Sequence, residues 1–238
     1  MDKSKRGKMN IEEFLTQNRK DYLAGLSKMQ MLEIESYKDI YSTQTNLTRY
    51  MSFSEIARLF VRFELFKKIL NLSGDIVEFG VFMGTGLVNF LQISELLEPH
   101  NYVRRIYGFD TFQGLLAKDD DYGGLRPNQY QYTNKNHLLS ILDWHQQHKL
   151  RQSKNCFLIE GDVCETLPEF LKNEPSFLPT LIYLDLDLYL PTKTVLDCLE
   201  PYFRPGCIIA FDELGMSKFA GENTAFLESK VSKYGKLK

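Results

Sequence analysis

The sequence carries no surplus of charge of either sign: 29 Lys and Arg stand against 31 Asp and Glu in 238 residues, a net charge of -2. Without a global positive field it lacks the footprint that holds a phosphate backbone, so no nucleic-acid partner is expected. Long hydrophobic runs are also missing. The most apolar stretch, residues 180–190, is broken by carboxylates and falls well short of the roughly 20 apolar residues a membrane span needs. No secretory signal is visible, because the basic start is followed by Asn10-Ile11-Glu12-Glu13 rather than an apolar segment. Cysteine is scarce. Cys156, Cys164, Cys198 and Cys207 show no C-x-x-C spacing, and three sit in or beside apolar runs, the habit of reduced, buried thiols. A cytoplasmic protein with no membrane partner is expected.

What remains is an ordinary globular composition, 43% hydrophobic and 25% charged, with no repeat and no low-complexity tract. Residues 1–53 read as a polar extension with weakly helical pieces over 11–26, and residues 54–238 as the main domain. From Ser54 the pattern sharpens. Ile56, Phe60, Phe63, Phe66, Ile69 and Leu70 recur at threes and fours, with Arg58, Arg62 and Lys67 on other faces, which predicts an amphipathic helix.

After the turn Asn71-Leu72-Ser73-Gly74, short apolar runs at 76–79, 105–109, 156–159, 180–186 and 207–211 alternate with helical windows at 87–97, 137–148, 166–173 and 192–202. Strands alternating with helices predict an α/β fold: a Rossmann-like, doubly wound, mainly parallel sheet covered on both faces. Such sheets bind ligands beyond the carboxyl ends of their strands. The stretch 111–136, rich in Gly, Asp, Asn and Tyr, is too long for a simple connection and reads as a candidate lid.

The first strand ends in Glu78-Phe79-Gly80-Val81-Phe82-Met83-Gly84-Thr85-Gly86, an E-x-G-x-x-x-G-x-G loop whose spacing departs from the G-x-G-x-x-G dinucleotide fingerprint. A carboxylate at Glu78 would repel a pyrophosphate but suits an ammonium or sulfonium ligand. The same loop also serves as a plain strand-to-helix turn. Asp110 ends the second strand where a ribose diol is held in nucleoside sites, although a lone Asp there also caps helices. Gly161-Asp162 follows the third strand, suited to an adenine edge or to an N-cap. The fourth and fifth strands end in Leu184-Asp185-Leu186-Asp187 and Phe211-Asp212-Glu213. Acids crowded at one rim repel one another unless a cation or raised pKa values intervene, and Mg²⁺ with oxygen ligands resolves that. Asp185 is the expected ligand, with Asp187 behind it or capping a helix.

Taken in order, these blocks, with Thr111-Phe112-Gln113-Gly114, Thr166-Leu167-Pro168, Tyr189, Thr192 and Pro205-Gly206, resemble the macrocin-type O-methyltransferases over roughly residues 46–228. That family is class I and S-adenosyl-L-methionine (SAM)-dependent, mostly uses a metal, and methylates deoxysugar hydroxyls. The resemblance implies that Glu78, Gly80 and Gly84, with Phe79, Thr85 and Gly86 in the same loop, hold the methionine end of SAM. It implies Asp110 for the ribose hydroxyls and Asp162 for the adenine amine, with Thr111 and Val163 beside them in the cofactor site. Asp185, Asp212 and Glu213 match the metal triad, with Asp185 also the general base. Glu213 departs from the usual Asp, and the family continues past residues 221–224 into a strand pair where this chain has only 230–238, so a shortened edge or a partner-completed sheet is expected.

The remaining signals are weaker. The histidines of Trp144-His145-Gln146-Gln147-His148 have no acidic motif beside them, Asp119-Asp120-Asp121 reads as solvated, and Tyr122, Tyr130 and Tyr132 are suited to stack on a sugar or a base. The expected partners are a small-molecule sugar acceptor and a second copy in a homodimer. Two alternatives stay open: an NAD-dependent nucleotide-sugar oxidoreductase on the same architecture, and a non-catalytic partner subunit with a degenerate SAM pocket.

Overall fold

A computed structural model describes residues 20, 21, 24, 25, 28, 51–116, 127–132, 134–149 and 154–234, apart from the side chains at 218 and 234. Most of the helical pieces expected over 11–26, the centre of the lid, Asp119 to Asp121 and Tyr122 lie outside the described residues. Backbone contacts divide the chain into Met1–Phe60 and Val61–Lys238. Among the described residues no helix is long and apolar enough to cross a membrane.

Helix α1 (Phe53–Ile69) starts where Ser52 Oγ accepts from Glu55 N–H, the Ser-x-x-Glu arrangement of a capping box. Its buried stripe is Arg62, Phe66 and Ile69, whereas Phe60 is exposed. Arg62 therefore lies inward and not on a solvated face, a correction that bears on the site below.

Five parallel strands follow: β1 (Asp75–Phe79), β2 (Ile106–Asp110), β3 (Cys156–Glu160), β4 (Pro179–Leu184) and β5 (Ile208–Phe211). They stand in the order β3-β2-β1-β4-β5. Between them run α2 (Thr85–Leu97), α3 (Lys135–His148), α4 (Val163–Asn173) and α5 (Tyr189–Leu199), and α6 (Ala220–Glu228) and α7 (Val231–Tyr234) come last. The chain winds outward from β1 to β3, then returns to β4 and β5 on the other side, so right-handed crossovers put the two groups of helices on opposite faces. The order reverses between β1 and β4, and a ligand crevice belongs there.

Alternation along the strands sorts the core. Val77, Phe79, Tyr107, Phe109, Ile182 and Leu184 pack with Val163 and Leu167 of α4, Val195, Leu196 and Leu199 of α5, and Phe226 of α6. Ile76, Glu78, Ile106, Leu181 and Tyr183 alternate with those and face the other way; the edge-on contact between Phe90 of α2 and Tyr183, centroids 6.0 Å apart, marks that side. The fourth strand stops at Leu184, two residues short of its apolar run, because the chain turns at Asp187 with φ of 64°. All four cysteines are free thiols, and burial pushes Cys156 up to about 12.

Candidate active site

Each pair of neighbouring strands is joined by one extra hydrogen bond beyond the regular ladder. Gly161 N–H donates to Asp110 O, Gly80 N–H to Phe109 O, Asp185 N–H to Phe79 O and Asp212 N–H to Leu184 O, all at 2.9 Å. Because Phe79 pairs with Leu184 and Leu184 with Phe211, this extension sets Gly80, Asp185 and Asp212 in one row across the carboxyl edge. Two acids, Asp185 and Asp212, thus meet the glycine loop, far from them in sequence, at the point where the strand order reverses.

On the donor side of that row the glycine loop is packed by the protein's own atoms. Gly80 has φ of 87°, and a Cβ there would stand 1.8 Å from the Asp185 carbonyl oxygen. At Gly86, the second residue of α2, a Cβ would meet Glu78 Oε1 at 1.8 Å. The spacing in the loop thus serves strand contact and carboxylate burial before any ligand arrives. Gly84 is the left-handed residue before α2, and Thr85, exposed, begins it. Phe79 is fully buried with its ring stacked on Phe109, centroids 4.9 Å apart, so only its backbone borders the crevice.

Asp110 ties this loop down. Its Oδ2 accepts from Val81 N–H and Phe82 N–H, each at 2.7 Å, and its Oδ1 from Phe112 N–H at 2.6 Å. A carboxylate offers about four lone-pair positions, so three amides still leave room for a ribose hydroxyl. Thr111 Oγ1 donates to Gly114 O and accepts from Gln113 N–H, closing the turn after β2. Asp162 is the N-cap of α4, its Oδ1 accepting from Cys164 N–H at 2.9 Å, and Val163 behind it is core. Phe82 forms edge-on contacts with Tyr130 and Tyr132 at 6.1 Å, an aromatic group beside the loop.

Glu78 lies under the loop, buried, and sequence reasoning missed its counter-charge. Arg62 Nη2 stands 3.8 Å from Glu78 Oε1, both side chains being almost fully enclosed, while Glu78 Oε2 has no hydrogen-bond partner. Burial lifts the Glu78 carboxyl to about 8; Arg62 works against that, and Asp185, Asp110 and Asp212 add to it. An orphaned buried oxygen at this place fits a ligand bearing an ammonium group, the amino-acid end of SAM. The signal for Arg62 was its spacing, four before Phe66 and seven before Ile69, both buried.

At the other end of the row, Tyr183 O–H donates to Asp212 Oδ1, and burial first, then the Asp212 charge, pushes the phenol up. Asp187 is buried at the turn before Leu188, the residue that precedes α5. A further acid, Glu222, was missed. It is fully buried, with Oε2 accepting from Glu213 N–H at 3.3 Å and Oε1 without a partner. Burial raises its carboxyl to about 8, with the charges of Asp185, Asp187 and Glu213 adding to the rise. Its signal was an acid on an apolar helical stripe, three and four residues before Ala225 and Phe226, which are buried. Among the described residues no group of three or more His, Cys, Asp or Glu forms a ready metal cage. The donor set, carboxylate oxygens with one buried and unengaged, nonetheless fits a hard divalent ion in its chemistry.

Residues 77–214 match the family described as the methyltransferase domain, more than half of the chain. Among solved structures, the chain is similar to CalS11, a calicheamicin methyltransferase, with 32% identity and a TM-score of 0.80 over 92% of this chain and 84% of that one. The apo structure of CalS11, described as a TDP-rhamnose 3'-O-methyltransferase of calicheamicin biosynthesis, gives 33% identity and 0.74 over 92% and 86%. The O-methyltransferase NovP shares the fold, at 21% identity and a TM-score of 0.60 over 74% and 72%. No curated protein sequence matches. The nicotinamide alternative does not survive the family match. With its glycine loop and acids set along one carboxyl edge, this chain belongs to the methyltransferase family and is an O-methyltransferase of the class I, SAM-dependent kind.

Proposed function

We propose that the protein methylates a hydroxyl of a deoxysugar, carried on a nucleotide or on a glycosylated natural product, with Mg²⁺ assisting. Likeness to CalS11, described as acting on TDP-rhamnose, supports the acceptor class. The observation that carries the reading is the shared row: the ladder extension brings Asp185 and Asp212 beside the glycine loop, so a donor and an acceptor bound there would be neighbours.

When bound, SAM supplies a methyl group activated by its sulfonium, and Mg²⁺ makes an acceptor hydroxyl easier to deprotonate. The chain's own residues do the rest. Asp110 receives the ribose hydroxyls on the carboxylate that already fixes the loop, and Asp162 and Val163 border the adenine. Glu78 offers its unengaged oxygen to the donor's ammonium, while the loop from Gly80 to Gly86 sets the distance. Asp185 takes the proton from the attacking hydroxyl, and Asp185, Asp212 and Glu213 hold the ion, with Glu222 behind Glu213. A sugar hydroxyl is a very weak acid, so a base and a cation acting together are what the reaction demands.

The protein acts in the cytoplasm as a homodimer, without nucleic-acid or membrane partners; its near-neutral charge balance supports the first exclusion, and light scattering tests the dimer. Calorimetry with S-adenosylhomocysteine, followed by transfer from labelled SAM to TDP-rhamnose with and without a chelator, tests the chemistry. The expected results are binding of the product and at least a tenfold loss on chelation. No heat with S-adenosylhomocysteine would remove the methyl donor, and undiminished transfer after chelation would remove the ion.

A further inference from the structure

The row of acids is reached from beneath by a buried relay that no part of the expected site includes. Arg62 of α1 lies ahead of the matched residues 77–214. Its guanidinium carbon stands 5.0 Å from the centre of the Tyr183 ring, and its Nη2 3.8 Å from Glu78 Oε1. Tyr183, on the neighbouring strand, then donates its hydroxyl to Asp212 Oδ1 at the end of β5. Both Arg62 and Tyr183 are buried, and Phe90 of α2 braces the phenol ring from its edge.

We infer that Tyr183 and Arg62 are positioning residues that orient the two ends of the site, Asp212 at the rim and Glu78 under the donor loop, through one guanidinium–phenol contact. The inference rests on the reading of Asp212 as an ion ligand. A carboxylate whose oxygen is pinned by a buried phenol keeps one plane, and outer partners of this kind tune how well a ligand group meets its ion. Arg62 fixes the phenol ring by lying over its face, and the same guanidinium is the counter-charge that stands against Glu78 among the described residues. Neither side chain touches the reacting atoms.

The decisive variant is Tyr183→Phe, which removes one hydroxyl and keeps the ring against Arg62 and Phe90. Mn²⁺ affinity, S-adenosylhomocysteine affinity and the thermal midpoint are measured on the full chain by calorimetry, with Asp212→Asn in parallel. Roughly tenfold weaker Mn²⁺ binding in Tyr183→Phe, with product affinity within about twofold of the parent, is the expected result. A purely structural phenol would move the midpoint and leave the ion affinity alone. Unchanged Mn²⁺ affinity in Tyr183→Phe, while Asp212→Asn loses it, overturns the relay and spares the ion site. An Asp212→Asn protein that binds Mn²⁺ like the parent, or a parent that binds none, overturns the ion assignment and the relay with it. Should Tyr183→Phe fold poorly, Arg62→Lys is the second variant. It keeps the positive charge but not the planar face, and equal Mn²⁺ and product affinities there count against the relay as well.

Discussion

The two halves of the carboxyl edge hold their acids in opposite ways. On the donor side, Asp110 takes three amide hydrogen bonds and Glu78 faces Arg62, so the protein itself supplies donors and counter-charge. On the rim side, the charges of Asp185, Asp187 and Glu213 add to the cost of ionising Glu222, and one Glu222 oxygen is buried with no partner. Each half leaves one buried oxygen to a ligand, but Glu78 has a guanidinium against its charge, whereas Glu222 has one backbone amide and three further acids around it. On the proposed reading, the first half holds the donor and the second takes the proton.

That contrast is broken most severely at Asp185. Asp185→Asn is expected to cut methyl transfer by about 100-fold or more, the range for a lost general base, while S-adenosylhomocysteine binding by calorimetry stays within about twofold. Comparable losses in both measurements would mean that the halves are not separate. Gly80→Ala probes the packed side. The Cβ would stand on the Asp185 carbonyl at a φ of 87°, costing on the order of 3 kcal/mol and lowering the thermal midpoint by about 6–12 °C. An unchanged midpoint would show that the loop is looser than its geometry implies.

Asp110→Asn keeps one acceptor oxygen but strands an amide. Product affinity should fall about tenfold or more, since hydrogen bonds to a charged group are worth roughly 1.5–3 kcal/mol. The last test of the comparison is pH. Glu78 and Glu222 each titrate near 8 in the fold and near 4.5 when unfolded, so between those values the folded chain holds more protons. The stability they contribute is complete below about 4.5 and lost as pH rises through about 8. Differential scanning of the ligand-free protein should therefore show this contribution fading from pH 5 to 8.5. Glu222→Gln should flatten that slope by roughly half, and Mg²⁺ at pH 8 should raise the midpoint of the parent. A slope the same in parent and variant would remove Glu222 from the rim.

Periodicity was enough to read the alternation of strands and helices, because amphipathic windows of 3.6 residues and apolar runs of a few residues leave different marks. The loop from Glu78 to Gly86, Asp110, Asp162 and the acids after β4 and β5 were legible for a similar reason: each follows a strand, and strand ends of such sheets carry ligands. Their partners were not. Arg62 and Glu222 sit on helical stripes that otherwise bury apolar residues, and a charged residue there is meaningful only once something else is known to face it. Tyr183 looked like one more strand residue until Asp212 appeared at the end of its hydroxyl.

The sequence by itself determined the parallel α/β layers and the placing of glycines and acids just past strand ends, since both are local consequences of pattern and turn chemistry. Only the tertiary structure decided which acids meet, and in what state. Register between β1, β4 and β5 lined up residues more than a hundred positions apart. Burial and register then determined that Asp110 found amides, Glu78 a guanidinium and Asp212 a phenol. Those interactions act through space at a few ångströms, a separation that no spacing along the chain encodes.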